Sequence, residues 1–342
     1  GKDSRTAKAG DKVLLTGGEN AFIADFTSNQ TEHAAFPFSI WNKTMRAVMN
    51  DYQEEMMINP PCGGVMELRK SISGYLKEFC AMYVRPEQII IGAGTEYLYS
   101  ILIQLLGRNV CYGVENPGYP KIAKIYRSMG VKYEYIDLDE EGTSAKKLEE
   151  KKVDIMHISP SHHFPTGMVM PISKRYELLG WVTRKKERYI IEDDYLADFD
   201  SKRELTFHYL DDSQHVIYIK SFSTSLFPAL RITALLFPPA IQPTFIAYKK
   251  AVDYDSNLIM QKALSLYIDN LMFEKNRLSL LNQQEKELTR ARKLLSQNQL
   301  KLSYFLNRDG ILLDLRGLKS VSSLKHSNLP LDFFEASYIQ DC

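Results

Sequence analysis

The sequence predicts a doubly wound α/β fold with a mainly parallel sheet, followed by a smaller C-terminal α+β portion. Three observations predict it. Between about residues 78 and 237, short apolar runs alternate with segments of helical period. Polar, glycine-bearing stretches fall where those runs end. After Pro239 the texture changes to long helix rich in Leu, Lys, Glu and Gln.

The elements follow in order. "EQIIIGAG" reads as a strand running into glycine. "TEYLYSILIQLLG" reads as a helix: Leu98, Ile101, Leu102 and Leu105 share one face, and Gly107 suits a C-cap. "VCYGVENPG" is a strand ended by a turn, and "YPKIAKIYRSMG" a helix closed by glycine. "KYEYIDL" alternates as a strand, and "VDIMHISP" is a short strand broken by Pro160. The amphipathic "ISKRYELLGWVTRKKE" precedes "RYIIEDDY", an apolar strand ending in carboxylates. "HVIYIK" and "ITALLFP" are two further strands. Residues 242–299 read as long helix, "GILLDLRG" as a strand, and "LDFFEASYI" lies near the end. The expected division is a linker or arm over 1–20, a large domain over 21–240 and a small domain over 241–342.

Composition excludes several classes. With 43 Lys+Arg against 42 Asp+Glu, the chain carries +1, so no whole-chain field draws it to nucleic acid or an anionic membrane. Cys62, Cys80, Cys111 and Cys342 are scattered without a CxxC pair, which indicates neither a zinc site nor a disulfide framework. A reducing cytoplasm is the expected setting. No secretion signal opens the sequence, and no run of about 18 apolar residues suggests a membrane span.

Open α/β sheets bind ligands beyond the carboxyl ends of their strands. Four features fall there. "GAGTEY" opens a helix, where backbone N–H groups bind phosphate and Gly94 permits close approach; taken alone, a plain turn with Thr95 as N-cap is the better reading. "ENPGYPK" places Tyr119 just past a strand, where its ring could lie on a heteroaromatic ligand or simply pack on the next helix. "IIEDDYLADF" ends a strand with Glu192, Asp193, Asp194 and Tyr195. A carboxylate buried there needs a partner, and a protonated pyridine nitrogen would be one. A solvated acidic turn is a rival; a metal site ranks below both, because no His or further carboxylate falls close enough to complete a ligand set. Finally, "YIKSFSTSLFPALRI" carries hydroxyls on Ser221, Ser223, Thr224 and Ser225 and a guanidinium on Arg231, a set suited to a phosphate dianion. A Ser/Thr-rich turn alone is usually only a turn. The order of these pieces, joined by "SPSHHFPTG", carries more weight than any one of them.

Through "GGVMELRKSISGYL", "EQIIIGAGTEYL", "ENPGYP", "SPSHHFPTGMVMP", "IEDDYLADF" and "FSTSLFPALRI" the sequence resembles the fold-type I pyridoxal-phosphate (PLP) aminotransferases. More closely, it is similar to the aminotransferase-like domain of MocR-type regulators, a subgroup of the GntR transcription factors. The resemblance implies that Gly94 and Thr95 cup the cofactor phosphate, Tyr119 stacks on the pyridine ring, Asp193 pairs with the pyridine nitrogen and Tyr195 reaches the ring hydroxyl. It implies that Ser221, Ser223, Thr224 and Arg231 line the phosphate side. His162 and His163 lie in the cofactor-facing loop without an assigned role. It also implies a homodimer, a small-molecule ligand of amino-acid or vitamin B6 type, and DNA contact only through a winged helix-turn-helix absent from this sequence.

The sequence departs from that pattern in several places. Thr224 stands where the family carries its Schiff-base lysine, seven residues before Arg231, and Lys220 replaces the usual glycine four residues earlier. Phe164 replaces the Asn that general aminotransferases carry before Pro-Thr-Gly, and Asn59 in "NPPCGG" stands near a tyrosine position that serves the neighbouring subunit. Arg316 falls too early for the substrate-carboxylate arginine. Threonine cannot form an imine, so no catalytic residue is assigned and any pyridoxal phosphate is expected to be held noncovalently or lost. Three readings follow: a sensing domain of a MocR-like regulator, an active aminotransferase using Lys220 after local rearrangement, and a cofactor-free dimerisation module.

Overall fold

The computed structural model describes residues 36–195, 198, 205–251, 256–297, 304–307 and 310–313. The expected arm over 1–20, Arg316 and "LDFFEASYI" lie outside them. Helices α1 (Phe38–Asp51) and α2 (Met66–Cys80) precede strand β1 (Ile89–Gly92). There follow α3 (Thr95–Leu106), β2 (Tyr112–Asn116), α4 (Pro120–Ser128), β3 (Tyr133–Asp137), α5 (Ala145–Glu150), β4 (Ile155–Ile158), α6 (Ile172–Val182), β5 (Tyr189–Asp194), α7 (Phe207–Leu210), β6 (Val216–Ser221) and β7 (Thr233–Leu236). Helices α8 (Gln242–Ala251), α9 (Leu258–Asp269) and α10 (Met272–Gln297) lead to an antiparallel pair, β8 (Tyr304–Asn307) with β9 (Gly310–Leu313).

The main sheet has seven strands in the order β1-β7-β6-β5-β4-β2-β3. β3, β2, β4, β5 and β6 are parallel, and β7 runs antiparallel to both β6 and β1. The carboxyl ends of β1, β2, β4, β5 and β6 therefore share one edge with the start of β7; Gly92 and Ser221 both pair with Thr233 there.

Successive strand residues point to opposite faces, and both faces are buried, so the strands read as continuous apolar runs. On one face Ile90, Val114, Ile155, Ile191, Ile217 and Ile219 pack with Leu98, Ile101 and Leu102 of α3, Tyr126 of α4 and Phe245 of α8. On the other, Ile91 and Tyr218 pack against α2 and α9, while Ile158 and Ile190 pack against Leu178 and Trp181 of α6. Each such aliphatic side chain contributes about 1.5–3 kcal/mol through burial.

Two local readings differ from the sequence-based ones. Gly94, with φ 97, and not Thr95, occupies the N-cap of α3, and no side chain caps that end. The long helix read over 242–299 is three helices. The breaks carry no Gly or Pro: Asn257 starts α9 by accepting from the backbone N–H groups of Ile259 and Met260, at 3.0 and 3.3 Å, and Leu271 takes a left-handed φ of 59 between α9 and α10. Helix α9 places Ala263, Leu264 and Tyr267 in the same apolar cluster as α2 and β1, so hydrophobic contacts cross the expected boundary at residue 240.

Candidate functional site at the carboxyl edge of the sheet

Asp193 is the penultimate residue of β5, and its side chain is 7% exposed. The Tyr99 hydroxyl, from α3, donates to Asp193 Oδ2. His157 Nε2, from β4, stands 3.7 Å from the same oxygen, and His157 Nδ1 shares a 3.0 Å hydrogen bond with the Tyr126 hydroxyl. The His157 ring meets Tyr99 edge-on at 4.8 Å. Burial, reinforced by the Asp193 charge, raises the Tyr99 phenol well above its ordinary range, so Tyr99 stays protonated as a donor. Asp193 Oδ1 is buried and has no hydrogen-bond partner among the described residues. A buried carboxylate oxygen in that state costs free energy until something donates to it.

Gly94 and Arg231 meet at the N-terminus of α3. A Cβ added at Gly94 would fall 2.9 Å from Arg231 Cζ and from Nη2, so the guanidinium lies against the glycine backbone. Arg231 has a left-handed φ of 53 and is exposed to solvent. Ser221 ends β6, almost fully buried, and its Oγ accepts from the Ser223 backbone N–H at 3.3 Å. Ser223 and Thr224 are half-buried within the turn between Ser221 and Arg231. Gly94, Thr95, Asp193, Ser221, Ser223, Thr224 and Arg231 thus come from three separate stretches to one edge of the sheet.

Tyr119 is 42% exposed at the start of α4, and Phe164 meets its ring edge-on at 5.8 Å. Between them and the strands lies a small cavity bordered by Glu115, His157 and Ser159. Glu115 Oε2 accepts from the Ser159 N–H at 3.1 Å and lies 3.6 Å from His163 Nε2. Burial, with Asp193 nearby, pushes its carboxyl up to about 8. Tyr195, one residue past β5, is half-buried. His163 bonds Thr166 Oγ1 at 2.8 Å, so it shapes the loop as well as facing Glu115.

Lys220 sits elsewhere. It shares the face of Tyr218, opposite that of Ile219 and Ile217, and in the β5–β6 register Ile219 is opposite Asp193. Its ammonium is 2.7 Å from Asp198 Oδ1, and the side chain is 2% exposed. Lys220 is therefore turned to the face away from Asp193. Tyr99, His157, Tyr126, Glu115 and Asp198 were not singled out in the sequence. His157 left one signal, a lone polar residue inside the apolar run "IMHI"; the others look like ordinary helix or strand-end residues.

The sheet order, with one antiparallel strand between β1 and β6, and the polar groups gathered at its carboxyl edge define a PLP-type aminotransferase fold. Solved structures agree. The α-aminoadipate aminotransferase LysN of Thermus thermophilus superposes with TM-score 0.79 at 20% identity, covering 92% of this chain and 84% of that one. The Pyrococcus horikoshii kynurenine aminotransferase gives 0.77 at 20% identity, covering 88% and 78%. Among sequences, the HTH-type transcriptional regulator YdeL of Bacillus subtilis is 34% identical over 248 residues, 71% of this chain and 53% of its own length. The probable rhizopine catabolism regulatory protein MocR of Rhizobium meliloti is 27% identical over 252 residues, 72% of this chain and 51% of its own. The pyridoxine biosynthesis regulator PdxR of Corynebacterium glutamicum is 28% identical over 215 residues, 61% and 46%. No protein-family model matches the chain.

The chain matches the aminotransferase-like domain of the MocR-type regulators of the GntR family. It spans about half the length of these curated relatives. Among the described residues no helix is long and apolar enough to cross a membrane, and no cluster of His, Cys, Asp and Glu could hold a metal ion.

Proposed function

We propose that this chain is the ligand-sensing domain of a MocR-type transcriptional regulator, and that it holds pyridoxal 5'-phosphate or its amine form without a covalent bond. The observation that carries the reading is Asp193 Oδ1, buried and without a partner among the described residues while Tyr99 holds the other oxygen. A protonated pyridine nitrogen supplies the missing donor, and the anionic aspartate favours that protonated ring. The exposed guanidinium of Arg231, lying against Gly94 at a helix N-terminus, suits the phosphate. Bound there, such a cofactor supplies an electron-poor ring and, in its aldehyde form, a carbonyl open to amines. In this chain Asp193 would pair with the ring nitrogen, Tyr119 would cover a ring face, and Gly94, Thr95, Ser221 and Arg231 would hold the phosphate.

Turnover through Lys220 has no support, because its ammonium is paired with Asp198 on the opposite face of the sheet. In the regulator the domain would work as a homodimer in the cytoplasm, with DNA bound by a separate winged helix-turn-helix. Met57 and Ile58, 81% and 68% exposed just before "NPPCGG", fit a dimer surface. The test is absorption spectroscopy with and without added cofactor, followed by borohydride reduction and peptide mapping. The expected result is a noncovalent aldehyde or amine spectrum, bound to the wild type and lost in Asp193→Ala, with no modified lysine. A reduced adduct on Lys220, or no binding of either cofactor form, defeats the proposal.

A further inference from the structure

The Ser-rich turn is held from behind. Asp198, 3% exposed, accepts at Oδ1 from Lys220 Nζ at 2.7 Å and from the Tyr75 hydroxyl at 2.8 Å. Its Oδ2 accepts from Ser225 Oγ at 2.6 Å, and its carbonyl oxygen accepts from Arg277 Nη1 at 3.0 Å. Asn276 Nδ2 donates to the Ser225 carbonyl at 3.1 Å. Ser225 is thus tied through both side chain and backbone, one residue after Thr224 and between Ser221 and Arg231. The ties reach β6, α2 and α10.

We propose that Asp198 is a positioning residue for this turn: without touching the ligand, it fixes Ser225, and so sets the Ser221-to-Arg231 geometry that grips a phosphate. The inference rests on the reading of the turn as a phosphate holder. The eleven residues from Phe222 to Ile232 join β6 to β7, and ordering a free turn costs about 1–2 kcal/mol per residue. A turn ordered before the ligand arrives spares the ligand that cost. In place of a lysine on the ligand side, the chain has one on the reverse side, where it keeps Asp198 charged and so able to accept several hydrogen bonds at once. Because Arg277 and Asn276 lie on α10, the same cluster joins the turn to that helix.

Two readouts test this. Hydrogen exchange over 221–232 reads the turn itself, and titration with pyridoxamine 5'-phosphate reads the site. Ser225→Ala cuts the link while leaving the Lys220–Asp198 pair intact. Asp198→Asn combined with Lys220→Met removes the charges together, which keeps the variant foldable. Both should speed exchange in the turn without speeding it in β2 and β4, and both should weaken the phosphate ligand about tenfold. Ser225→Thr, which keeps the hydroxyl, should restore much of the affinity. Unchanged exchange in the turn of either folded variant overturns the proposal, as does unchanged affinity alongside faster exchange. If the wild type binds no pyridoxamine 5'-phosphate but the turn still loosens, the cofactor reading fails and the positioning of the turn stands.

Discussion

Lys220 carries a charge into a position that is 2% exposed, and Asp198 makes that tolerable. Burial alone would disfavour both ions. In Asp198 the nearby ammonium and two hydroxyl donors outweigh burial, and the carboxyl lies below its ordinary value; in Lys220 the carboxylates outweigh burial, and the amine lies above. Asp198, depressed, contributes stability above its unfolded value of about 4, lost as pH falls through its folded value. Lys220, raised, contributes stability below its unfolded value of about 10, lost as pH rises through its folded value. The pair therefore stabilises across the whole neutral range. Lys220→Met alone strands a buried carboxylate and should cost about 3–5 kcal/mol at neutral pH, measured by urea unfolding. Adding Asp198→Asn should recover much of that loss. Equal stability of the single variant and wild type would mean the charges are solvated.

At the scale of elements, the chain leading into α2 packs closely on β1 and α9. The Gly63 carbonyl accepts from Ile91 N–H at 2.9 Å, and Gln261 of α9 accepts from Val65 N–H at 2.9 Å while donating to the Ser256 carbonyl at 2.7 Å. Gly64 passes between them with φ 93; a Cβ there would lie 2.5 Å from Ile91 Cβ and 2.9 Å from Gln261 Oε1. Gly64→Ala meets both backbone strain and overpacking, each worth about 1–3 kcal/mol, so a loss of at least about 2 kcal/mol is expected in thermal unfolding. Lys262, next along α9, adds ionic ties to Glu55 and Glu67 at 2.5 and 3.1 Å, holding residues 55–57 and α2 to α9.

For the whole molecule, the expectation is two copies of the chain. Light scattering on the purified protein should give twice the monomer mass, and Met57→Asp with Ile58→Asp should halve it while leaving circular dichroism unchanged. A monomeric wild type would remove the dimer from the proposal. The alternation of strands and helices was legible in the sequence because burial on both faces makes each strand a short apolar run, Gly92 and Gly94 mark where strand passes to helix, and Gly107 marks where that helix ends. The candidate residues were legible because they sit in motifs at strand ends. The supporting shell was not: Tyr99 looks like any helix residue until α3 lies over β5, and Asp198 stands some twenty residues from Lys220.

By itself, then, the sequence determined the class of fold and the ends of the strands, because local periodicity and motif spacing depend only on neighbours in the chain. The tertiary structure decided the rest. The pleat of β6 put Lys220 on the face away from Asp193, and the antiparallel insertion of β7 brought Arg231 against Gly94. The packing of α3 and β4 left one oxygen of Asp193 without a donor among the described residues. Each of these depends on which face a side chain takes and which strands lie side by side, and that is fixed only when the sheet is assembled.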